Sequence, residues 1–266
     1  MQTLTKMRVE VAYSRAVKNS VRRLRVLPYD NRGAQSVLES SWQCEPAPDA
    51  TRETLDQFGN RVLQIYHANL TSWHFEMSLL SQREALNCAC ETNLSSTGTG
   101  AFLLPTRLCD TNKNTQSIVE TLRKTDIINS DARETSQRVC EWIYQSIEYS
   151  MGATTLQTRA SDVLEKRLGV CQDFAHAMIA LCRSARIPAR YISGFNVGEG
   201  QMHAWVETLC GDEWIAFDPT HGRQTRNDCV FVACGRDFRD VSPLRARFQG
   251  EANVEVETWC DTKLAN

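Results

Sequence analysis

The chain has 266 residues, 42% of them hydrophobic and 23% charged, enough for one large domain or two ordinary ones around a real core. Lys and Arg (30) nearly balance Asp and Glu (32), leaving a net charge of −2 and no basic stripe, which argues against nucleic acid or an anionic membrane as the main partner. The opening MQTLTKMRVEVAYSR lacks the apolar core of a signal peptide and no later stretch is long enough to span a bilayer, so the expected location is cytoplasmic.

In that compartment the eleven cysteines are expected to be reduced thiols. Their one close pair, Cys88-Ala-Cys90, is not a CxxC, so neither a zinc ribbon nor a thioredoxin-type site is expected.

Up to about Leu94 the pattern is one of short extended runs. Residues 9–13 (VEVAY), 21–27 (VRRLRVL) and 61–66 (RVLQIY) alternate or carry β-branched side chains, and turn residues at 28–33, 45–49 and 58–60 separate them. This predicts a small antiparallel β-sandwich over 1–94. The polar, glycine-bearing stretch 91–100 suits a linker.

From there the texture turns helical, and 95–266 is expected to form a second domain. Residues 116–124 and 132–148 have helical spacing, with Val139, Trp142, Ile143 and Ile147 on one stripe. A further helix is predicted over 161–168, capped by Ser161, and Gly169 is placed to end it in a left-handed conformation. A new helix then begins at about Cys171 and stops before Pro188. It is apolar almost all round, which marks a buried central helix.

Cys171 would stand in the first turn of that helix, among unpaired N–H groups and the positive end of the dipole. Such a position favours a thiolate and offers N–H donors to an oxyanion once sulfur attacks a carbonyl. A nucleophile there needs a base. His176 lies five residues on, a rotation of about 140° away, so it suits a packing or supporting role. His67 and His74 lie in the β half with no cysteine or acid patterning around them.

His203 opens a strand-like run, HAWVETL, that turns at Cys210-Gly-Asp-Glu213 and returns as WIAFDP. If Cys210-Gly211 is the loop, His203 lies directly opposite Asp218. If Gly211-Asp212 is the loop, Asp218 is its diagonal neighbour. Both registers put the two side chains on one face, within reach for a carboxylate to hold an imidazole nitrogen. The order Cys171, His203, Asp218 is that of papain-like sites, with Asp where those have Asn.

Four stretches carry a family resemblance: 169–176 (GVCQDFAH), 187–195 (IPARYISGF), 203–207 (HAWVE) and 217–220 (FDPT). With 56–60 (DQFGN), 102–106 (FLLPT) and 235–243 (GRDFRDVSP), the sequence resembles the transglutaminase-like superfamily over nearly its whole length. The branch it is similar to is the microbial one described as candidate cysteine proteases, with a bacterial transglutaminase-like N-terminal β domain. The resemblance implies an α+β protein: an N-terminal antiparallel β-sandwich, then a papain-like domain with a central helix packed on an antiparallel sheet. It also implies Cys171 as nucleophile, His203 as base and Asp218 as its orienter.

The expected activity is thioester-mediated acyl transfer from an amide, chiefly hydrolysis of protease or amidase type. Transfer to an amine and a catalytically silent binding scaffold are the alternatives. Tyr149, Gln172 and Trp205 are candidates for a second oxyanion donor. His221 departs from the expected residue, such as Asn, after Asp-Pro-Thr; it could alter the hydrogen bonding beside Asp218 or merely be exposed, and the second reading is favoured. Substrates would be a protein, a peptide or a small amide, and the mechanism calls for no metal or organic cofactor.

Overall fold

The protein is described from a computed structural model covering residues 1–28, 34–84, 98–225 and 227–265. Most of the expected turn at 28–33 and of the linker at 91–100 lies outside the described residues, as do Cys88 and Cys90.

The first half is four strands: β1 (Gln2–Leu24), β2 (Gln35–Glu45), β3 (Ala50–Leu55) and β4 (Arg61–Arg83). Along β1, Met7, Val9, Val11 and Tyr13 are buried while Arg8, Glu10 and Ala12 face out, the period of two that a half-buried strand requires. Trp73, Phe75, Met77 and Leu79 do the same on β4.

The second half follows in chain order. It begins with α1 (Lys113–Lys124), α2 (Ala132–Ser146), β5 (Glu148–Tyr149), α3 (Ala160–Lys166), β6 (Leu168–Gly169) and α4 (Cys171–Ser184). Strands β7 (Ala189–Asn196), β8 (His203–Cys210), β9 (Glu213–Asp218), β10 (Arg223–Gln224) and β11 (Cys229–Gly235) come next. The short helix α5 (Phe238–Val241) precedes β12 (Leu244–Gln249) and β13 (Val254–Leu264).

The β half is one continuous antiparallel sheet of six strands, in the order β12-β1-β4-β2, with β13 also on β1 and β3 on β4. Its sandwich character comes from a bend. Trp73 pairs with Val11, and Arg22 lies eleven residues further along β1, about 35 Å away in a straight strand. Yet the Arg22 guanidinium sits 4.7 Å from the Trp73 ring. The sheet therefore folds over its own core near the irregular register between Ala12 and Val17. Its outer strands β12 and β13 come from the far end of the chain, so a division at 94/95 does not separate one sheet from the other.

The second sheet runs β10-β9-β8-β7-β11, all antiparallel. Ala204, Val206 and Phe217 join the core around α4, while Ile192, Trp205 and Phe231 pack with Phe58 and Phe102 on the other side. Burial on both faces explains why β7 and β11 read as nearly unbroken apolar runs. On α4 every residue from Gln172 to Arg183 is buried, and each fully buried Phe, Leu, Ile or Met there contributes about 1.5–3 kcal/mol.

Side-chain amides join the two sheets. Asn60 exchanges two hydrogen bonds with the backbone of Cys234 (2.7 and 2.8 Å), and Gln35 does the same with Phe231 (2.8 and 2.8 Å). They meet β11, the edge strand next to β7, as a neighbouring strand would. At the C-terminal end of α4, buried Arg183 donates to the carbonyls of Phe102, Leu104, Ala189 and Arg236, tying four segments to the helix.

Candidate active site

Helix α4 begins at Cys171, with extended Val170 before it. The expected mechanism for this start is corrected. Arg167, at φ 61°, is the left-handed residue that ends α3, and Gly169 lies in a two-residue strand beside Tyr149. Gly169 is glycine for space: a Cβ would fall 2.6 Å from the Cβ of Asp173. Asp173 accepts the Val170 N–H at 2.9 Å and the Thr154 hydroxyl at 2.6 Å, which fixes the turn that presents Cys171. Ser161 does not cap α3 either. That helix starts at Ala160, and Ser161 donates its N–H and hydroxyl to Asp110.

The β8–β9 hairpin pairs Cys210 with Glu213, so Gly211-Asp212 is its loop and Asp218 is diagonal to His203. His203 Nε2 donates to Asp218 Oδ2 at 2.9 Å, and both residues are buried. The other ring nitrogen, Nδ1, lies 3.0 Å from Glu199 Oε2. Burial opposes charge on His203, but hydrogen bonds with Asp218, Cys171 and Glu199 outweigh it and hold the imidazole well above its ordinary value. Asp218 is held well below the usual carboxylate range: its hydrogen bonds from His203 and His221 overcome the opposing effect of burial.

An open cleft of about 460 Å³ is lined by Cys171, His203, Tyr149, Glu199, Thr220 and His221, among others. Two other grooves, lined by residues such as Trp42 and Trp259 or Trp73 and Glu255, lie on the β sheet and contain no cysteine.

The remaining expected residues separate. Tyr149 is exposed at the cleft, where Cys171 and Glu199 are among its electrostatic neighbours. Gln172 is buried and does not line the cleft. Trp205 lies behind His203, its ring 6.3 Å from the imidazole and inclined by 26°, and supports that ring from the apolar side. His176 is fully buried and accepts the Phe238 N–H through Nε2 at 3.2 Å; burial lowers it to about 4. Its place is in the packing between α4 and α5.

The reading of His221 as merely exposed is corrected. Its Nδ1 donates to Asp218 Oδ2 at 2.7 Å, the same oxygen that accepts from His203, and its ring lies 5.5 Å from that of His203. Glu199 is the residue that sequence reasoning passed over. It sits on the connection between β7 and β8. The connection is fastened to β13: Gly198 N–H donates to Thr262 O (3.0 Å) and Cys260 N–H to Gly200 O (3.2 Å). An acid four residues before the base was the only local signal.

A cysteine opening a buried helix, beside a histidine–aspartate pair on the adjoining antiparallel sheet, defines a papain-like arrangement. The chain belongs to the transglutaminase-like superfamily: residues 120–219 match the family of that name and residues 6–79 match the bacterial transglutaminase-like N-terminal region.

A solved structure of a candidate cysteine protease from Cytophaga hutchinsonii shares the fold, with a TM-score of 0.76, 24% identity, and 100% of this chain and 92% of that one covered. An uncharacterised Mycobacterium leprae protein is 29% identical over 174 residues, 61% of this chain and 61% of the relative. One from Mycobacterium tuberculosis is 35% identical over 119 residues, 39% of this chain and 38% of the relative. The chain thus matches less than two thirds of the length of these relatives. Among the described residues no helix is long and apolar enough to cross a membrane.

Proposed function

We propose that the chain is a cysteine-dependent acyl-transfer enzyme acting on amide bonds, with hydrolysis as its main outcome. The observation that carries this reading is His203, which donates through Nε2 to Asp218 and has Cys171 as a hydrogen-bonding neighbour in the same cleft. His203 takes the Cys171 proton, which gives the attacking thiolate. Its sulfur attacks the substrate carbonyl, and the oxyanion is received by N–H groups of the first turn of α4. His203 gives its proton to the departing amine, leaving a thioester. The imidazole then takes a proton from water as it attacks the thioester, which releases the acid and restores the thiolate–imidazolium pair. Asp218 keeps the ring oriented throughout.

Transfer to an amine on the same site is the second reading, and Glu199 favours it. A carboxylate one-third exposed beside His203 attracts a cationic amine to the thioester. A protein, peptide or small amide is the expected substrate. The nine described cysteines are all free thiols, which suits action in the cytoplasm.

The test is incubation with a peptide library, with and without added cadaverine, read by mass spectrometry. Cleaved or deamidated products that vanish in Cys171→Ser support hydrolysis, and amine adducts support transfer. If neither forms while the chain binds partners equally well as Cys171→Ser, the silent-scaffold reading replaces both.

A further inference from the structure

Beside the base His203, the cleft holds two further donors, Glu199 and His221, that the hydrolytic steps do not use. Glu199, His203 and His221 each bring a ligand atom within 4.8 Å of the others. Two imidazoles and a carboxylate, with a further position open towards solvent, are the ligand types and count of an open zinc site. We propose that the mouth of this cleft is a binding site for a borderline-soft divalent cation such as Zn²⁺, held by Glu199, His203 and His221, and that occupancy silences Cys171 by taking its base.

Asp218 is what makes the set fit. A metal-bound histidine is normally oriented by a carboxylate on its other nitrogen. Here one Asp218 oxygen takes one nitrogen from each ring, His203 Nε2 at 2.9 Å and His221 Nδ1 at 2.7 Å. That leaves His203 Nδ1, which already faces Glu199 Oε2 at 3.0 Å, and one nitrogen of His221 to meet an ion.

Bonds of about 2.0–2.1 Å in a tetrahedral site put donors roughly 3.4 Å apart, so the three need to close in by an ångström or so. Glu199 and His221 can make that adjustment, because their side chains are 33% and 41% exposed. Binding moves only protons: the one on His203 Nδ1 leaves to solvent as the cation takes its place, and no covalent bond to carbon changes. The ion acts as an off-state ligand, and the acyl-transfer steps do not pass through it.

The backbone also bears on the site. Gly198 and Gly200 are fastened to Thr262 and Cys260 of β13, which keeps Glu199 over the cleft. The C-terminal strand of the bent sheet thereby holds the third ligand in place.

The full chain, stripped with a chelator, is titrated with Co²⁺ followed by its visible d–d absorption and then with competing Zn²⁺. The expected result is one saturable site from which Zn²⁺ displaces Co²⁺. Glu199→Gln and His221→Ala should each weaken it about tenfold or more. His74→Ala serves as the control, since His74 is a partly exposed histidine beside Glu10 and Glu76 and should leave the affinity unchanged. Both test positions are partly exposed, and unchanged circular dichroism certifies the folded variants. No saturable binding up to millimolar metal, or an affinity that follows His74 and ignores Glu199 and His221, would overturn the proposal. The readout is binding, so it stands apart from whether the chain turns over an amide.

Discussion

Asp218 lies diagonal to His203 across the β8–β9 hairpin, and its Oδ2 accepts the His203 Nε2–H at 2.9 Å. This bond fixes which nitrogen is left for the cleft. Asp218→Ala should therefore lower turnover of an amide substrate by about 10²–10⁴-fold, and Asp218→Asn, which keeps an acceptor, by less. Equal losses from the two variants would mean that the charge of Asp218, and not its orienting bond, sets the rate.

His221 shares that oxygen. In His221→Ala, Asp218 loses one of the two imidazole donors that hold it ionised and keeps the other. The expected effect is a several-fold loss in kcat/KM with folding intact, together with a rise in the pH at which Asp218 protonates. Activity against pH, compared between the two proteins on the acid side, measures it.

His176 contributes to acid sensitivity. In the unfolded chain it takes up a proton near pH 6.5, and in the fold only near pH 4, because burial disfavours the charge. Between those values the unfolded state binds more protons. The contribution of His176 to stability should thus fall as pH drops from 6.5 towards 4, by roughly 3 kcal/mol, and level off below. Thermal melts across that window should show the slope flattened in His176→Gln, whose side-chain oxygen can still accept the Phe238 N–H. An unchanged slope assigns the acid sensitivity elsewhere.

Gly194 pairs with His203, and a Cβ there would fall 2.1 Å from the Val230 carbonyl oxygen and 2.3 Å from the Trp205 ring. Gly194→Ala should cost about 1–3 kcal/mol and push Trp205 against the imidazole it supports. The check is a lower melting temperature accompanied by lost activity, with both effects present in one variant.

Much of this site was legible in the sequence because hairpin parity and helix starts are local. The run HAWVETLCGDEWIAFD has period two and a turn centred on glycine, so His203 and Asp218 had to share a face in either two-residue register. Cys171 was legible because the apolar helix after it has no other start.

What stayed hidden depends on contacts distant along the chain. Glu199 reaches His203 because β13, some sixty residues further on, fastens the loop that carries it. Gly169 looked like a helix terminator, yet its reason is the Asp173 side chain four residues ahead, a steric fact invisible to propensity. The bend of β1 and β4 likewise follows from Arg22 meeting Trp73, and alternation along the strands cannot reveal it.

Acyl transfer at this cleft requires Cys171 to be activated by His203. Iodoacetamide labelling over a pH series, followed cysteine by cysteine by peptide mass spectrometry, tests it with internal controls: burial pushes the thiols of Cys109, Cys182 and Cys260 up to about 12. The prediction is that Cys171 labels first at neutral pH while those three stay silent, and that His203→Ala removes its lead. Labelling of Cys171 no faster than theirs, or at a rate indifferent to His203, would contradict the account.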